Sequence, residues 1–228
     1  PAQAHVSMVI RAGEPTIALR IPSHPMTLEL LKQSGLGLAA PSANKYTQLS
    51  PTTAMHVQAG LGKDISVLDG GACQVGIEST IVSVEGDDWR LLRHGMIAED
   101  AIAHVAGRPA LKSTDHLPKA PGQHLLHYSP RTRLLLFKDR ASLNREFETL
   151  SLAKLQCAAL LIGEGEIPRC HVITLENDPA LVAEQLYSAL HTLDDFSVDR
   201  LLVELPPDTP AWAAVQDRLS RASYKTVL

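Results

Sequence analysis

The sequence has few of the features that mark membrane, secreted or metal-binding proteins. No apolar run approaches the roughly 20 residues that a membrane-spanning helix needs, so we expect no transmembrane segment. The first residues lack the basic start and long apolar stretch of a signal peptide, and the chain does not begin with Met. The cysteines Cys73, Cys157 and Cys170 share no metal-ligand spacing, and we interpret them as reduced thiols of a cytoplasmic protein.

Familiar catalytic signatures are missing as well. The sequence contains no Ser-His-Asp order, GxSxG elbow, Walker-type loop or GxGxxG loop. His124 and His127 could share one helical face, but no further ligands accompany them, so we predict no metal site. The net charge of −4 argues against a strong nucleic-acid footprint, although it allows a local basic groove for a nucleotide.

Apolar residues, at 45%, are plentiful enough for a core, and they fall into two periodic regions. Between these regions, residues 112–130 are interrupted by Pro and Gly, which a regular helix or a central strand does not tolerate. A loop of this length is often functional, so we interpret residues 112–131 as a linker that acts as a lid. The predicted domains are then residues 1–111 and 132–228.

Hydrophobic patterns predict an α/β fold in both regions. Before the linker we predict strands at residues 5–10, 16–21, 38–40, 65–68, 80–84 and 89–92, with helices at 25–33, from the Ser50 cap to 59, and at 98–105. After the linker we predict strands at 133–137, 158–162, 172–174 and 201–204, with helices at 141–152, 179–193 and 211–222. The regular alternation after the linker indicates a small sheet covered by helices on both faces.

The segment 38–52 has the composition of a ligand-binding turn between a strand and a helix. Small residues allow a ligand to approach the backbone, and Ser42, Asn44 and Ser50 offer neutral hydrogen-bonding groups. The helix that begins near Pro51 directs free N–H groups and a partial positive charge at this place, which would suit a phosphate chain. The alternative is an ordinary turn in which Asn44 and Ser50 cap backbone groups.

A second candidate segment covers residues 69–82, where three glycines precede a β-branched strand. Tight bends are expected there, and Ser79 lies at the mouth of the strand, a frequent position for a ligand contact in α/β sheets. The Asp-Gly-Gly run is alternatively a simple hairpin turn. Glu78 is either a buried partner of a basic group or a solvated turn residue, and we favour a structural role.

Two arginines are candidates for anion binding. Arg93 leaves an apolar strand just before Gly95, and its planar fork suits a phosphate, although most arginines at strand ends are only solvated. Arg20 lies inside the apolar run 16–21, so its charge needs a partner. That partner is either a substrate carboxylate or an internal Asp or Glu.

Five motifs occur in an order that matches a known family. They are Pro41-Ser42-Ala43-Asn44, Ser50-Pro51-Thr52, Gly76-Ile77-Glu78-Ser79-Thr80, Leu92-Arg93-His94-Gly95, and Pro121-Gly122 followed by His127-Tyr128-Ser129-Pro130. With the closing segment 217–222, they resemble the two-domain form of the threonylcarbamoyl-AMP synthase family over nearly the whole chain. The resemblance implies a YrdC-type twisted open sheet with helices, followed by a small Rossmann-like α/β domain.

The resemblance also implies the chemistry of a nucleotidyltransferase. L-threonine and bicarbonate would give an N-carboxylated amino acid that attacks the α-phosphate of ATP, with Mg²⁺ as the expected metal. Threonylcarbamoyl-AMP would then pass to a tRNA threonylcarbamoyl transferase, for the N6-threonylcarbamoyladenosine modification. Such a reaction depends on positioned cations and hydrogen-bond donors rather than on a nucleophilic side chain.

The site residues implied by the resemblance form two groups. Those that would bind ATP are Thr16, Ser42, Asn44, Ser50, Arg93 and Tyr128. Those that would bind L-threonine are Arg20 through the substrate carboxylate, Ala40 through its backbone, and Ser79. No catalytic nucleophile and no protein metal ligand are assigned.

The sequence departs from the family pattern in three places. The signature Asn-x-Ser-Gly reads Asn44-Lys45-Tyr46-Thr47 here, and Leu126 stands where an Arg or Lys precedes His-Tyr. The family's Lys-x-Arg pair and Gly-Pro-Leu-Thr strand would precede the first residue, so we expect a fragment that is weak or inactive alone. The alternative function is a non-catalytic module that binds a nucleotide or double-stranded RNA, against which the acidic net charge counts.

Overall fold

A computed structural model describes residues 1–3, 5–112 and 128–227. Most of the predicted linker, with His124, Leu126 and His127, lies outside these residues. The contacts divide the chain into two compact units, residues 1–42 and 43–228. The predicted domain limits, which follow the linker, stay predictions. No helix in the described ranges is long and apolar enough to cross a membrane.

The first unit, residues 1–42, has one helix among its described residues. Helix α1, Pro25–Ser34, has Pro in its first turn and ends where Gly35 adopts a left-handed conformation with φ of 64°. The helix predicted at residues 25–33 is therefore confirmed. The strands predicted at 5–10, 16–21 and 38–40 are wrong, because the described part of this unit contains no strand.

The failed strands share a physical cause. A strand needs a neighbour to pair its backbone N–H and C=O groups, and a core to cover its apolar side chains. In these segments Val9, Leu19 and Ile21 are exposed, Ile21 to 94%. An apolar run by itself therefore did not produce a strand here.

Residues 43–112 begin the second unit with a short helix and a hairpin. Helix α2, Ala54–Leu61, follows Thr53, whose hydroxyl accepts a hydrogen bond from the His56 N–H at 3.2 Å. The predicted cap at Ser50 is wrong, because the helix begins three residues beyond the predicted start. The strand predicted at residues 65–68 is also wrong, since that described segment is a loop.

The hairpin joins strand β1, Ile81–Glu85, to strand β2, Asp88–Arg93, in antiparallel register. Helix α3, Glu99–Ala106, follows and ends at the left-handed Gly107. Both strands and this helix confirm the predictions at residues 80–84, 89–92 and 98–105. The hairpin places the end of β2 beside the loop 76–80, which directly precedes β1.

Residues 128–227 complete the second unit with a parallel sheet. Its elements in chain order are β3 Arg133–Phe137, α4 Arg140–Leu152, β4 Cys157–Ile162, β5 His171–Leu175, α5 Pro179–Asp195, β6 Arg200–Glu204, α6 Ala213–Ala222 and β7 Lys225–Val227. The sheet order is β5-β4-β6-β3-β7, and all neighbours are parallel. The α/β class and the elements predicted after the linker are confirmed, while β7 is an additional strand of three residues.

Local signals explain why these helices were predictable. Asp139 caps α4 by accepting a hydrogen bond from the Ser142 N–H at 2.7 Å. Asp178 caps α5 by accepting from the N–H groups of Ala180 and Leu181 at 2.9 Å, just before Pro179. The start of each of these helices is thus encoded by two or three consecutive residues.

Two apolar clusters lie on the two faces of the parallel sheet. Helix α4 covers one face with Leu143 and Phe147, while α5 and α6 cover the other. The cluster under α5 and α6 also takes in Leu49, Ile77 and Tyr128. Residues before and after the linker therefore share one core, and this shared core positions the candidate site.

We predict that the shared core carries much of the stability of the second unit. Leu201 on β6 is fully buried, so Leu201→Ala should lower the free energy of unfolding by about 2–5 kcal/mol through lost burial and a residual cavity. Leu152→Ala is the matched control, because Leu152 is 85% exposed at the end of α4. Urea denaturation should show a change within about 0.5 kcal/mol for the control. Equal losses in the two variants would contradict this assignment of the core.

Candidate functional site

The predicted site residues are divided between the two compact units. Thr16, Arg20, Ala40 and Ser42 lie in the first, and Asn44, Ser50, Ser79, Arg93 and Tyr128 lie in the second. Arg20 is exposed and lies outside any strand, so the predicted enclosure of its charge in an apolar strand is wrong. Its assignment to a substrate carboxylate stays a prediction.

In the second unit, Arg93 and Ser79 are in direct contact. Arg93 is the last residue of β2, and its side chain turns back to the loop before β1. Its Nε donates to the Ser79 carbonyl at 3.0 Å, and Nη2 lies 3.5 Å from the Ser79 hydroxyl. Burial lowers the pKa of Arg93, and Tyr128 and Glu78 oppose that effect. A residue predicted to bind ATP thus lies against one predicted to bind L-threonine.

Glu78 is the central acceptor of the candidate site. Its Oε1 accepts from the Ser50 hydroxyl at 2.6 Å. Its Oε2 accepts from the Tyr187 hydroxyl at 3.0 Å and from Arg218 Nε at 2.6 Å. Glu78 therefore has the structural role that we favoured, as the partly buried partner of a basic group. Ser50 serves this carboxylate instead of capping α2, and its predicted contact with ATP stays a prediction.

Tyr128 is the first described residue after residue 112, and its side chain is buried. Its side chain is only 2% exposed, and its ring lies 5.8 Å from the Tyr187 ring and 5.4 Å from the Arg218 guanidinium carbon. The next residue, Ser129, donates its N–H to the Thr47 carbonyl at 2.8 Å. The start of the C-terminal sheet region is thereby fastened to the loop that contains Asn44.

Asn44 orders that loop from within. Its Nδ2 donates to the carbonyls of Lys45 at 3.1 Å and Gln48 at 2.9 Å. Its Oδ1 is buried, and the described residues offer it no hydrogen-bond donor. Asn44 therefore bonds backbone groups, as the alternative of an ordinary turn predicts, whereas its contact with ATP stays a prediction.

Sequence reasoning missed the side chains that come from the C-terminal helices. Tyr187 on α5 and Arg218 on α6 both reach Glu78. The signal that could have revealed Arg218 is its position in the apolar face of α6. Its buried neighbours on that face are Ala214, Val215, Leu219 and Ala222.

Two motif glycines are explained by close backbone approaches. A Cβ on Gly76 would lie 2.1 Å from the carbonyl oxygen of Glu184 on α5. A Cβ on Gly95 would lie 2.1 Å from the N–H nitrogen of Thr80. Only glycine allows the loop 76–80 to be held between α5 on one side and residue 95 on the other.

A stacked histidine pair joins α2 to α5. The rings of His56 and His191 are 4.0 Å apart, with 25° between their planes. His191 Nε2 lies 3.1 Å from the Ser50 carbonyl, and His56 Nδ1 lies 3.1 Å from the Thr52 hydroxyl. Burial lowers the pKa of both imidazoles, and for His56 the neighbouring His191 lowers it further.

Clefts open on the described part of the second unit. One of about 170 Å³ is lined by the start of α2 and by the turn 67–71, so it brings both candidate segments of the sequence together. The other, of about 610 Å³, lies at the carboxyl ends of the parallel strands and includes Lys138, Asn177 and Asp208.

All three cysteines are free, and burial raises the pKa of Cys157 and Cys170 to about 11, so these two thiols remain protonated.

Comparison with known proteins covers nearly the whole chain. A family model described as the C-terminal domain of threonylcarbamoyl-AMP synthase matches residues 96–223, and the Sua5/yciO/yrdC model, described as "Telomere recombination", matches residues 1–95. Proteins called threonylcarbamoyl-AMP synthase from Schizosaccharomyces pombe, Bacillus subtilis and Pyrococcus abyssi are 35%, 33% and 34% identical. These alignments cover 96–98% of this chain but only 60%, 66% and 68% of the relatives.

A solved structure gives the same result. The crystal structure of P. abyssi Sua5 complexed with L-threonine superposes with a TM-score of 0.84 at 29% identity. The superposition covers 99% of this chain and 70% of the P. abyssi chain. A second structure, of a double alanine variant of the same protein, superposes with a TM-score of 0.83.

We predict that a methyl group at residue 76 disturbs the packing of the loop on α5. Gly76→Ala should lower the free energy of unfolding by about 1–3 kcal/mol, because the backbone of α5 must move to admit the Cβ. Gly60→Ala is the control, since nothing lies within 4 Å of its added Cβ and alanine favours the helix. Thermal and urea unfolding should separate the two variants. A Gly76→Ala protein as stable as Gly60→Ala would show that the approach is not tight.

We also predict that acid weakens the second unit through the histidine pair. A histidine whose pKa is lower in the folded than in the unfolded state takes up protons on unfolding, so stability falls as pH drops below about 6.5. Asp194 and Asp195 oppose this effect, and Arg131 adds to it. Urea denaturation at pH 7.5 and 5.5 should show a smaller loss for His56→Gln/His191→Gln than for the wild type. Equal losses of unfolding free energy in the two proteins would show that other groups cause the acid sensitivity.

Proposed function

Because this chain belongs to the threonylcarbamoyl-AMP synthase family, we propose that the protein makes threonylcarbamoyl-AMP from L-threonine, bicarbonate and ATP. The observation that carries this proposal is the match over 99% of the chain to a Sua5 structure complexed with L-threonine. The reaction makes the protein a nucleotidyltransferase. We assign its product to tRNA modification, through transfer of the threonylcarbamoyl group by a tRNA threonylcarbamoyl transferase in the cytoplasm.

The proposed reaction joins two substrates at one phosphorus atom. Threonine and bicarbonate condense to an N-carboxylated threonine with loss of water, and an oxygen of the new carbamate forms a bond to the α-phosphorus of ATP. The bond between that phosphorus and the bridging α–β oxygen breaks, and pyrophosphate leaves with the electron pair. Positioning and charge stabilisation are sufficient for such a transfer, so the protein needs no nucleophilic side chain.

The contact between Arg93 and Ser79 supports this arrangement. We assign Arg93 to the phosphates, which its planar guanidinium can bind in two places, and Ser79 to threonine. Because Arg93 Nη2 and Ser79 Oγ are 3.5 Å apart, ligands held by the two residues would be neighbours. We assign Thr16, Ser42, Asn44, Ser50 and Tyr128 to the nucleotide, and Arg20 and Ala40 to threonine.

Mg²⁺ would enter this site with ATP. No group of three or more His, Cys, Asp or Glu side chains suited to a metal occurs in residues 1–3, 5–112 and 128–227. Glu78, the carboxylate nearest to Ser79 in sequence, is already engaged by hydroxyl and guanidinium donors. The ion would supply charge neutralisation during transfer, and phosphate oxygens of ATP would be among its ligands.

We further propose that the 228 residues turn over slowly on their own. Residues 1–111 contain no Lys-x-Arg pair, which the resemblance assigns to the triphosphate. Each charge-assisted hydrogen bond contributes about 1.5–3 kcal/mol, so binding of the phosphates would be weakened. Threonine binding uses other residues and should persist.

The deciding experiment measures binding and turnover in the same sample. Isothermal titration should show binding of L-threonine and weaker binding of a non-hydrolysable ATP analogue. Pyrophosphate release should be slow, and it should require ATP, threonine and bicarbonate together. Mass spectrometry should identify threonylcarbamoyl-AMP. A chain that binds neither ligand but shifts double-stranded RNA at physiological salt would overturn the proposal in favour of a binding module.

Substitution of Arg93 tests its assignment. Arg93→Lys keeps the charge but loses the planar fork, so affinity for the ATP analogue should fall by about tenfold or more. The matched control is Arg90→Lys on the same strand, whose charge lies 3.8 Å from the exposed Glu85 carboxylate. The control should bind like the wild type. Equal affinities in the two variants would remove Arg93 from the nucleotide site.

A further inference from the structure

Arg218 is an unusual residue because its charged side chain is completely buried. It projects from α6, and its relative exposure is 0%. A buried guanidinium is costly unless its N–H groups are satisfied by acceptors. Here Nε donates to the Glu78 carboxylate at 2.6 Å, and Nη1 donates to the carboxylate of the adjacent Asp217.

The remaining nitrogen of Arg218 contacts two backbone carbonyls that lie far apart in sequence. Nη2 donates to the Glu78 carbonyl at 3.2 Å and to the His94 carbonyl at 2.9 Å. The Glu78 carbonyl belongs to the peptide group that leads into Ser79, and the His94 residue directly follows Arg93. One guanidinium therefore fixes the backbone beside both residues of the Ser79–Arg93 contact.

We propose that Arg218 is a positioning residue, which holds Ser79 and Arg93 in their binding geometry from the C-terminal sheet region. This inference rests on the proposed function for the identity of the ligands. It gives the C-terminal sheet region a task in substrate binding, namely to supply a rigid support for the loop 76–80 and for the end of β2.

Other contacts act in the same direction. Tyr187 on α5 donates to the same Glu78 oxygen that accepts from Arg218. Burial raises the pKa of Tyr187 well above its ordinary value, with Glu78 adding to the effect, so the hydroxyl remains a donor. The loop is further confined by Gly76, which packs on the α5 backbone, and by Gly95, which packs on Thr80. The support is therefore built from two helices and not from one side chain alone.

The test compares Arg218→Lys with a variant that is destabilised elsewhere. Lysine keeps the positive charge but cannot reach the Glu78 carboxylate and both carbonyls together. Leu143→Ala is the control, because Leu143 is fully buried in the other apolar cluster, under α4. Tyr187→Phe is a second test variant that keeps the ring and removes only the hydroxyl, in case Arg218→Lys fails to fold.

Two readouts on the 228-residue chain separate positioning from general stability. The first needs no ligand: NMR hydrogen exchange of Arg93 Nε–H, which donates to the Ser79 carbonyl, should accelerate in Arg218→Lys and remain unchanged in Leu143→Ala. The second is the dissociation constant of L-threonine, measured by titration where each variant is folded. It should rise by about tenfold in Arg218→Lys, less in Tyr187→Phe, and not in Leu143→Ala.

The results that overturn the proposal are clear in both readouts. Unchanged exchange at Arg93 in both Arg218→Lys and Tyr187→Phe shows that Arg218 does not position this contact. Weaker threonine binding of the same size in Leu143→Ala shows that only general stability is involved. If the wild type binds neither threonine nor the ATP analogue, the proposed function fails, and the exchange measurement still decides whether Arg218 positions Arg93 and Ser79.

Discussion

The candidate site of the second unit depends on the ion pair between the fully buried Arg218 and the partly buried Glu78. Neither group could be placed there alone, because an isolated charge in a core costs several kcal/mol. The pair is tolerated since the guanidinium also donates to Asp217 and to two carbonyls, and the carboxylate also accepts from two hydroxyls. Removal of any one of these groups would leave the others without hydrogen-bond partners, so the groups must keep one relative geometry.

The surrounding packing is arranged so that this pair can form. The chain must bring the loop 76–80 against α5, and glycine at residue 76 permits the contact with the helix backbone. Ile77 enters the core that α5 and α6 share with the sheet. The parallel sheet in turn fixes the two helices that carry Tyr187 and Arg218. The C-terminal α/β region therefore acts on the candidate site through rigid packing and does not contribute a separate set of reacting groups.

This arrangement suits the chemistry that we propose. The groups gathered near Ser79 are hydroxyls, the guanidiniums of Arg93 and Arg218, and the Glu78 carboxylate that accepts from several of them. Hydroxyls and guanidiniums bind and orient anions but are poor nucleophiles in this setting. A reaction between a carbamate and a phosphate requires that two anionic substrates be held close together, and that their charge be neutralised. Fixed donors on a confined loop meet that requirement, because little reorganisation is needed when the substrates bind.

The sequence by itself determined the features that depend on neighbouring residues. The caps Asp139 and Asp178, the glycine that ends α1, and the alternation of β3 to β6 with their helices were all predictable, because each is encoded within a few positions. The motifs also brought Ser79, Arg93 and Ser50 forward as candidates, through a resemblance that the family comparison confirmed.

Only the tertiary structure decided how these parts meet. The apolar runs at residues 16–21 and 38–40 are not strands, because strand pairing needs a partner that local sequence does not specify. Ser50 turned from a helix cap into a donor to Glu78, and Arg218, 140 positions away from Glu78, became its partner. Such contacts are decided by the packing of distant elements, where burial gives a charged group its partner, and no local pattern records that choice.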